Sequence, residues 1–317
     1  MNDRIGKGTR ALVTGGAGFI GSCLVERLVA SGAEVTVIDD LSTGSVTNLD
    51  AVATSVDLDA RPLAEILAEG VDLAARFDVV FHLAANPYIP PSVEDPAFDF
   101  ALNLDTTFRL LESLRASSAR TRLVVASSAA VYGNPVRLPI REVDPTVPIS
   151  PYGVSKLAAE RYVAVYSQLY EMPCASLRLF SVYGPRQRKQ VVYDLLHRMS
   201  RDPARLEVMG DGTQERDFVY VDDVASAFLT VAEQAPLQGE AINVASDVTY
   251  SIAQLVDVLS DVLGIRPEVV YSGSVRPGDA ERWSVDASTL SALGYEARVS
   301  LRAGLGHTKD WYGAGRI

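Results

Sequence analysis

Through about residue 180, short apolar runs alternate with longer segments whose apolar positions repeat at helical spacing. Ala11–Thr14 and Val35–Ile38 are apolar enough for buried strands, and Ile20, Leu24 and Leu28 recur every four residues between them. Strands that alternate with helices form a parallel sheet that is covered on both faces, so an α/β protein with a doubly wound sheet is expected. Further strands are predicted at Ser55–Asp57, Val79–Leu83, Leu123–Ser127 and Ala175–Phe180, and further helices at Pro62–Ala68 and Thr106–Arg115.

Beyond Tyr183 the alternation weakens, and proline, glycine and charged residues become more frequent. This composition predicts a smaller, irregular α/β domain that follows the first. Two segments depart from it, the apolar helix pattern at Val221–Ala235 and the short strand pattern at Ala241–Val244. We expect both to return to the main sheet. The predicted division is therefore residues 1–182 with 221–247 for one domain, and residues 183–220 with 248–317 for the other.

The first strand leads into a glycine-rich turn, with Gly15, Gly18 and Gly21 placed before the first helix. Strand, glycine turn and helix together offer free backbone N–H groups and a positive helix end to a pyrophosphate. Asp39 ends the second strand, where a carboxylate accepts hydrogen bonds from both ribose hydroxyls of adenosine and repels a 2′-phosphate. The pattern predicts a Rossmann-type site for NAD rather than NADP. The alternative for Asp39 is a solvated acid in a loop.

Composition limits the kinds of partner that the protein can bind. The 317 residues carry a formal charge of −11, which argues against nonspecific binding to nucleic acid or to an anionic membrane. No apolar run reaches the roughly 18 to 20 residues that span a bilayer, and the N-terminus lacks the apolar centre of a signal peptide. We therefore expect a cytoplasmic protein, in which any anionic ligand is held by local arginines.

The cysteines and histidines show no metal-ligand spacing. Cys23 and Cys174 fall in a predicted helix and a predicted strand, so buried free thiols are expected rather than a disulfide or a metal site. The three histidines, His82, His197 and His307, are scattered along the chain. No metal is predicted.

Three groups carry candidate chemistry. Ser127 and Ser128 end a buried strand, at the edge where open α/β sheets bind ligands. Ser150 caps a helix in which Tyr152 and Lys156 lie one turn apart on the same face. An ammonium and an oxidised nicotinamide nearby favour the phenolate of a tyrosine, which can then take the proton of a sugar hydroxyl during hydride transfer. Alone, a Tyr and Lys at this spacing also occur by chance on solvated helix faces.

The chain resembles the extended short-chain dehydrogenase/reductase family, the nucleotide-sugar epimerases and dehydratases, over nearly its whole length. The segments that carry the resemblance are collinear with the family's motifs. They are Thr14-Gly-Gly-Ala-Gly-Phe-Ile-Gly21, Asp39-Asp-Leu-Ser-Thr-Gly44, Phe81-His-Leu-Ala-Ala85, Asn103, Ser127-Ser-Ala-Ala-Val-Tyr-Gly133, Tyr152-Gly-Val-Ser-Lys156, Tyr183-Gly-Pro-Arg186, Arg216-Asp-Phe-Val-Tyr-Val-Asp-Asp223 and Arg276-Pro-Gly-Asp279.

The resemblance implies roles for individual residues. Tyr152, Lys156 and Ser128 would be catalytic, and a UDP-sugar would be the substrate. NAD would be held by Gly15, Gly18, Phe19, Ile20, Gly21, Asp39, Leu41, Ser42, Thr43, Gly44, Asp57, Leu58, Leu83, Ala84, Ala85, Asn103, Tyr152 and Lys156. The substrate would be held by Ser127, Ser128, Ser181, Arg188, Arg216, Arg276, Asp279 and Trp283. Either Arg216 or Arg276 alone is as compatible with a surface ion pair as with a diphosphate clamp.

Absent residues indicate the reaction. Family members that dehydrate the sugar carry an acidic pair just after the serine or threonine, where this chain has Ala129 and Ala130. Dehydration is therefore disfavoured, and the loss of an acid at Ala130 also weakens a decarboxylase. Oxidation at C4, rotation of the ketone and return of the hydride to its other face remain. In that cycle NAD is regenerated.

The sequence indicates the identity of the sugar less specifically than it indicates the reaction. Ser181 stands where galactose-type epimerases usually have Asn, and Arg188 is similar in position to an arginine that faces a C6 carboxylate. Trp283 is bulky at the place beside the sugar and argues against an N-acetyl group. We expect a UDP-glucuronic acid 4-epimerase, although Arg188 would equally suit a solvated loop. The alternatives are a UDP-glucose or dTDP-sugar 4-epimerase and, from another class, a catalytically silent NAD-sensing regulator.

By the same resemblance we expect a homodimer, formed by the helices Thr106–Arg115 and Tyr152–Tyr170 and their copies. Both helices have apolar residues to spare, for example Leu110, Leu114 and Val163. Ordinary burial in the core explains these residues equally well.

Overall fold

A computed structural model describes residues 4–117, 120–274 and 282–315 of the chain. The predicted site residues Arg276 and Asp279 lie outside the described residues. The strands are β1 (Arg10–Thr14), β2 (Glu34–Ile38), β3 (Val56–Asp59), β4 (Val79–His82), β5 (Arg122–Ser128), β6 (Cys174–Leu179), β7 (Ser181–Tyr183), β8 (Arg205–Val208), β9 (Glu215–Tyr220), β10 (Gln238–Val244), β11 (Thr249–Ser251) and β12 (Glu268–Tyr271).

The helices follow the predicted pattern closely, and the predicted helix Thr106–Arg115 has the same bounds in the structure. They are α1 (Phe19–Ala30), α2 (Leu63–Ala68), α3 (Leu73–Arg76), α4 (Ile89–Glu94), α5 (Pro96–Phe100), α6 (Thr106–Arg115), α7 (Pro151–Tyr170), α8 (Val191–Arg201), α9 (Val221–Gln234), α10 (Ile252–Leu263), α11 (Ser288–Ala292) and α12 (Leu301–Gly313). A π-helical turn, Ala101–Asp105, joins α5 to α6. Short 3₁₀ helices span Val46–Val52 and Ala129–Tyr132.

The main sheet is parallel throughout and has the order β10-β6-β5-β4-β1-β2-β3. The predicted doubly wound α/β fold is confirmed. The strand order reverses between β1 and β4, and in such sheets ligands bind outside the carboxyl ends of the strands at this point. The strand predicted at Ala241–Val244 does return to the main sheet, since it forms the end of β10 and pairs with β6.

Both faces of the sheet are buried. Along β1, Ala11 and Val13 pack into one apolar cluster, which includes Phe228 of α9, whereas Leu12 packs into the other, which includes Leu110 of α6. This alternation follows from the period of two along a strand. It explains why β1 is apolar at consecutive positions rather than at every second one.

The chain after β6 builds two smaller sheets. One has the order β11-β9-β7, and the other pairs β12 with β8. The predicted domain boundary at residue 182 falls inside β7, which already pairs with β9. No helix in the described ranges has both the length and the apolar character needed to cross a bilayer. Cys23 and Cys174 are buried free thiols, as the sequence predicts.

Helix α7 begins as the sequence predicts. The Ser150 Oγ accepts a hydrogen bond from Gly153 N at 3.1 Å, and Pro151 takes the first helical position. Proline is suited to this position because its missing N–H has no partner in the first turn anyway. Tyr152, Lys156 and Glu160 lie on one face of α7, and all three are buried.

A buried ion pair ties α7 to the sheet. Glu160 and Arg178 of β6 are each only 4% exposed at their side chains, and Arg178 Nη2 lies 2.9 Å from Glu160 Oε2. Arg178 Nη1 also donates to Tyr132 Oη at 2.7 Å, and Tyr132 Oη donates to Asn243 Oδ1 of β10 at 2.7 Å. Helix α7, β6 and β10 are therefore linked through one polar cluster inside the fold.

Replacing Arg178 by Met should destabilise the protein strongly, because the buried Glu160 loses its cation. We expect a loss of about 3–5 kcal/mol in the free energy of unfolding, measured by urea denaturation. Arg10→Ala is the control, since it breaks an ion pair with Asp78 whose side chains are 45% and 41% exposed. That change should have little effect on stability, because solvent screens an exposed ion pair. Equal losses for the two variants would contradict the prediction.

Candidate active site

A cavity of about 960 Å³ opens at the carboxyl ends of the central strands. This volume is at the upper end of the roughly 300–1,000 Å³ found for small-molecule and cofactor sites. Most of the site residues predicted from the sequence line it. They are Gly15, Gly18, Phe19, Ile20, Gly21, Asp39, Ser42, Thr43, Leu83, Ala84, Ala85, Ser127, Ser128, Tyr152, Lys156, Ser181, Arg188, Arg216 and Trp283.

The glycine turn at one end of the cavity is packed too closely for side chains. A Cβ at Gly15, whose φ is +72°, would lie 2.7 Å from Ala84 N, and one at Gly21 would lie 2.1 Å from Gly15 O. No side chain caps the first turn of α1 at Gly18, so its leading N–H groups and the positive helix end are available at the cavity wall. These features fit the pyrophosphate of a dinucleotide.

Asp39 has a structural contact that the sequence did not indicate. Its Oδ2 accepts a hydrogen bond from Ala17 N and its Oδ1 accepts one from Leu41 N, both at 2.9 Å. The carboxylate thereby holds the glycine turn against the end of β2. Burial raises the pKa of Asp39, and these backbone donors oppose the rise. Each carboxylate oxygen has a second lone pair that a ribose hydroxyl can use.

Five of the predicted cofactor residues do not line the cavity. A Cβ at Gly44 would come within 2.9 Å of Asp39 Oδ1, so this glycine permits close packing behind the turn. Leu41 has a φ of +60° next to Asp39. Asp57 is exposed on β3, and Leu58 is half-buried beside it. Asn103 is buried in the π-helical turn. Their roles toward NAD stay predictions.

The predicted catalytic residues come together in the middle of the cavity. The Tyr152 hydroxyl is hydrogen-bonded to Ser128, and Lys156 Nζ donates to Ala126 O at 3.0 Å. Ser92 of α4 accepts a hydrogen bond from Tyr152 N at 3.1 Å, which fixes the first turn of α7. The phenol therefore stands at the cavity wall with a hydroxyl on one side and an ammonium one turn further along the same helix.

The predicted substrate residues that the structure describes line the same cavity. Ser181 is half-buried on β7, while Arg216 is buried on β9 and donates from Nη1 to Glu215 O at 2.8 Å. Trp283 packs edge-on against Phe180, with ring centroids 5.6 Å apart. Ser127 also lines the cavity, and its hydroxyl donates to the buried Glu160 at 2.5 Å, so its role toward the substrate stays a prediction.

Arg188 directly follows two residues that are anchored by hydrogen bonds. Arg186 binds helix α1 by donating to Ser22 Oγ at 3.0 Å and by pairing with Glu26. Gln187 Nε2 donates to Val182 O at 2.8 Å. These anchors could not be predicted from the sequence, because the partners of Arg186 are about 160 residues away. They hold the loop that carries Arg188 at the edge of the cavity.

A model of the NAD dependent epimerase/dehydratase family matches residues 11–245 of the chain. The chain belongs to this family. It is 35% identical over 309 residues to a UDP-glucose 4-epimerase of Mycolicibacterium smegmatis, and the match covers 96% of this chain and 98% of that protein.

The fold of this family member is also similar to two solved structures. One is a UDP-glucuronic acid 4-epimerase from Bacillus cereus in complex with UDP-glucuronic acid and NAD, with a TM-score of 0.87, 30% identity and coverage of 96% and 99%. The other is a UDP-N-acetylglucosamine 4-epimerase from Methanobrevibacter ruminantium M1 in complex with UDP-N-acetylmuramic acid, with a TM-score of 0.89, 30% identity and coverage of 98% and 99%. The predictions of an NAD-dependent nucleotide-sugar epimerase and of NAD as its cofactor are confirmed.

The protonation of this epimerase-family site differs from the sequence-based expectation. The sequence predicted that Lys156 would help to lower the pKa of Tyr152. Burial instead raises the pKa of Tyr152, the hydrogen bond to Ser128 only partly offsets this, and the charge of Asp99 raises it further. Burial also lowers the pKa of Lys156 to about 8. The protein around Tyr152 therefore favours the neutral phenol.

Gly21→Ala should weaken the binding of NAD, because its methyl group would collide with the carbonyl of Gly15. Overpacking of this kind costs about 1–3 kcal/mol, or about 5- to 150-fold in the dissociation constant. The measurement is the NAD retained by each purified protein, with affinity from isothermal titration. Gly306→Ala is the matched control, since Gly306 also lies in a helix and a Cβ there would meet nothing within 4 Å. Unchanged NAD binding by Gly21→Ala would contradict a pyrophosphate site at this turn.

Proposed function

We propose that the chain is a cytoplasmic UDP-sugar 4-epimerase whose substrate is UDP-glucuronic acid. The observation that carries this proposal is that Arg188 and Ser181 line the same cavity as Tyr152 and Ser128. A guanidinium and a hydroxyl suit a carboxylate, because arginine offers paired N–H donors in a plane. In a protein with a formal charge of −11, positive charge near the sugar has to be supplied locally.

In the proposed reaction Tyr152 is the base. Its phenolate takes the proton of the C4 hydroxyl while the C4 hydrogen leaves as hydride, so the sugar becomes a 4-ketone. When bound, NAD would accept the C4 hydride and could return it to either face of the ketone. Tyr152 then gives the proton back to the oxygen. Ser128 donates a hydrogen bond to the reacting oxygen, and Lys156 holds positive charge near Tyr152.

The residues that line the cavity come from both predicted domains, so each domain can bind a different ligand. We propose that residues 1–182 with 221–247 hold NAD, and that residues 183–220 with 248–317 hold the UDP-sugar. Arg216 then faces the diphosphate, for which a buried guanidinium is suited. Arg276 and Asp279 lie outside the described residues, and their roles toward the diphosphate and the nucleoside ribose stay predictions.

Ala129 and Ala130 favour epimerisation over elimination. Both residues line the cavity directly after Ser128. A dehydratase needs an acid and a base to remove water across C5 and C6, and neither alanine can serve. The ketone is therefore left with one productive fate, which is the return of hydride to C4.

Glucuronate places a further demand on the site. Its 4-keto form is a β-keto acid, which loses CO₂ when the C5–C6 bond stands perpendicular to the ketone plane. We propose that Arg188, with Ser181, holds the carboxylate away from that orientation. The anchors at Arg186 and Gln187 support this role, because they limit the movement of the loop.

A UDP-glucose 4-epimerase is the second candidate, and the similarity to the Mycolicibacterium protein of that name supports it. A dTDP-sugar would fit the same chemistry. Trp283 at the cavity wall disfavours an N-acetyl substituent. The catalytically silent regulator is the least supported, because Tyr152, Lys156 and Ser128 line one cavity.

The purified chain should epimerise UDP-glucuronate faster than UDP-glucose when NMR follows C4 inversion on both sugars. Arg188→Ala should lower turnover of UDP-glucuronate by about tenfold or more, because a hydrogen bond to a charged group is lost. It should also release more of the decarboxylated pentose. Arg205→Ala is the control, since Arg205 is exposed on β8.

Two outcomes would contradict this assignment. Full activity of Arg188→Ala on UDP-glucuronate would remove the carboxylate contact, and preference for UDP-glucose would support the second candidate. Turnover by Tyr152→Phe on either sugar would overturn the proposed base itself.

We also propose that the chain forms a homodimer through α7. The apolar residues first considered for this contact, Leu110, Leu114 and Val163, are at most 3% exposed and belong to the core. Other positions of α7 are solvent-facing and apolar, namely Val154, Tyr162, Val165 and Leu169. Their exposures lie between 42% and 67%, and the last three follow helical spacing along one stripe. Phe100 at the end of α5 is also 55% exposed.

Leu169→Glu should convert the dimer to a monomer, because it places a charge in the apolar stripe of α7. The measurement is light scattering after gel filtration, where the unchanged chain should appear at twice its mass of 34.1 kDa. Val136→Glu is the control, since Val136 is 94% exposed outside the helices. A monomeric unchanged chain, or a dimeric Leu169→Glu, would contradict the proposed interface.

A further inference from the structure

Asp99 is a buried carboxylate beneath the active site, and it is only 1% exposed. Its Oδ1 accepts hydrogen bonds from Asn86 Nδ2 at 2.8 Å and Asn103 Nδ2 at 2.9 Å. Its Oδ2 accepts one from Ser155 Oγ at 2.7 Å. All three donors are neutral, and none of the ion pairs found in residues 4–117, 120–274 and 282–315 includes Asp99.

The charge of Asp99 therefore acts on its surroundings. A carboxylate held by neutral donors in a dry interior keeps a strong field, because little water screens it. Glu160, the other carboxylate near the catalytic helix face, differs in this respect. It accepts two hydrogen bonds from Arg178 Nε and one from Arg178 Nη2, so most of its charge is balanced.

The cation on which the charge of Asp99 acts is Lys156. It follows Ser155 directly in α7 and is 7% exposed, and its Nζ donates to the neutral Ala126 O. The charged groups that act on it are Asp99 of α5 and Glu160 of α7. Tyr152 lies on the same buried face of α7, and Lys156 in turn acts on His82 of β4. Burial lowers the pKa of His82 to about 3, so this ring is neutral. Asp99 and Glu160 both raise the pKa of Lys156, against the effect of burial.

We propose that Asp99 is a positioning residue that supplies the counter-charge for the Lys156 ammonium. It also holds helix α7 against the loop that follows β4. The catalytic part of this inference rests on the function proposed above. Asp99 itself touches neither the reacting atoms nor the cavity wall. It acts through Ser155 and through the field at Lys156.

The second half of the proposal follows from the geometry of the π-helical turn. Asn103, four residues after Asp99, donates to Asp99 and to Ser155 Oγ at 3.2 Å. Its Oδ1 accepts a hydrogen bond from Asn86 N at 2.8 Å. Asn86 directly follows Ala85, which lines the cavity. The wide turn thus joins α7 to the loop after β4, and π-helical turns are often found at functional sites.

Asp99→Asn tests the charge without removing the contacts. The amide oxygen can still accept from Asn86 and Asn103, and the amide NH₂ can donate to Ser155 Oγ. Ser155→Ala is the matched control, because it removes one hydrogen bond and keeps the charge. Asp99→Ala is a second variant without the charge, should the amide variant fail to fold. Melting temperature and NAD content show whether each protein is intact.

The direct measurement is the titration of Lys156 by NMR in the NAD-loaded protein. The chain has four lysines, Lys7, Lys156, Lys189 and Lys309, so lysine labelled with ¹³C at Cε gives a simple spectrum. The Lys156 signal is assigned by its loss in Lys156→Arg. Asp99→Asn should move the Lys156 midpoint down by about one pH unit or more. Ser155→Ala should leave the midpoint unchanged, and the other three lysines serve as internal references.

The pH dependence of turnover on the preferred UDP-sugar gives a second readout. The charge of Asp99 raises the pKa of both Tyr152 and Lys156, so its removal should move both limbs of the profile to lower pH. A purely structural role would lower turnover without moving either limb. An unmoved Lys156 midpoint in Asp99→Asn, or an equal shift in Ser155→Ala, would overturn the proposal. If the midpoint moves but neither sugar is epimerised, the counter-charge stands and the proposed function fails.

Discussion

The contact between helix α7 and strand β5 determines the chemistry of this protein. Three consecutive residues of the strand each bind one residue of the helix. Lys156 donates to the carbonyl of Ala126, Ser127 donates to Glu160, and Ser128 binds Tyr152. The helix residues are spaced by four, so they lie on one face of α7. These contacts fix the position of the phenol at the edge of the sheet. The Ser150 cap fixes the residue at which the helix begins.

Local rules were sufficient for part of this arrangement. The glycine turn, the Ser150-Pro151 helix start and the doubly wound sheet depend on short spacings, so the sequence predicted them and the structure agrees. The bracing of the turn by Asp39, the anchor at Arg186 and the cluster around Asp99 depend on partners far apart in the chain. The exposed face of α7 was missed for a related reason. Apolar residues occur on both faces of that helix, and only the packing shows that Val163 is buried while Leu169 is not.

The protonation of the site was also beyond the sequence. Spacing shows that Tyr152 and Lys156 are neighbours, but it does not show how much water surrounds them. Both side chains are buried, and burial disfavours the charged form of each. This effect is larger for Tyr152 than its hydrogen bond to Ser128, so the expected decrease in pKa is reversed. Burial is therefore the main influence on the protonation of Tyr152, and spacing along the chain does not reveal burial.

The same balance explains why a buried carboxylate beside the site is useful rather than harmful. Without a negative partner, burial would push Lys156 toward the neutral amine, and a neutral amine has no field to stabilise a phenolate. Glu160 cannot supply all of that field, because Arg178 already balances it. Asp99 is held by neutral donors, so its charge remains for Lys156. Asp99 also raises the pKa of Tyr152, so the same charge that supports the ammonium of Lys156 opposes the ionisation of the phenol.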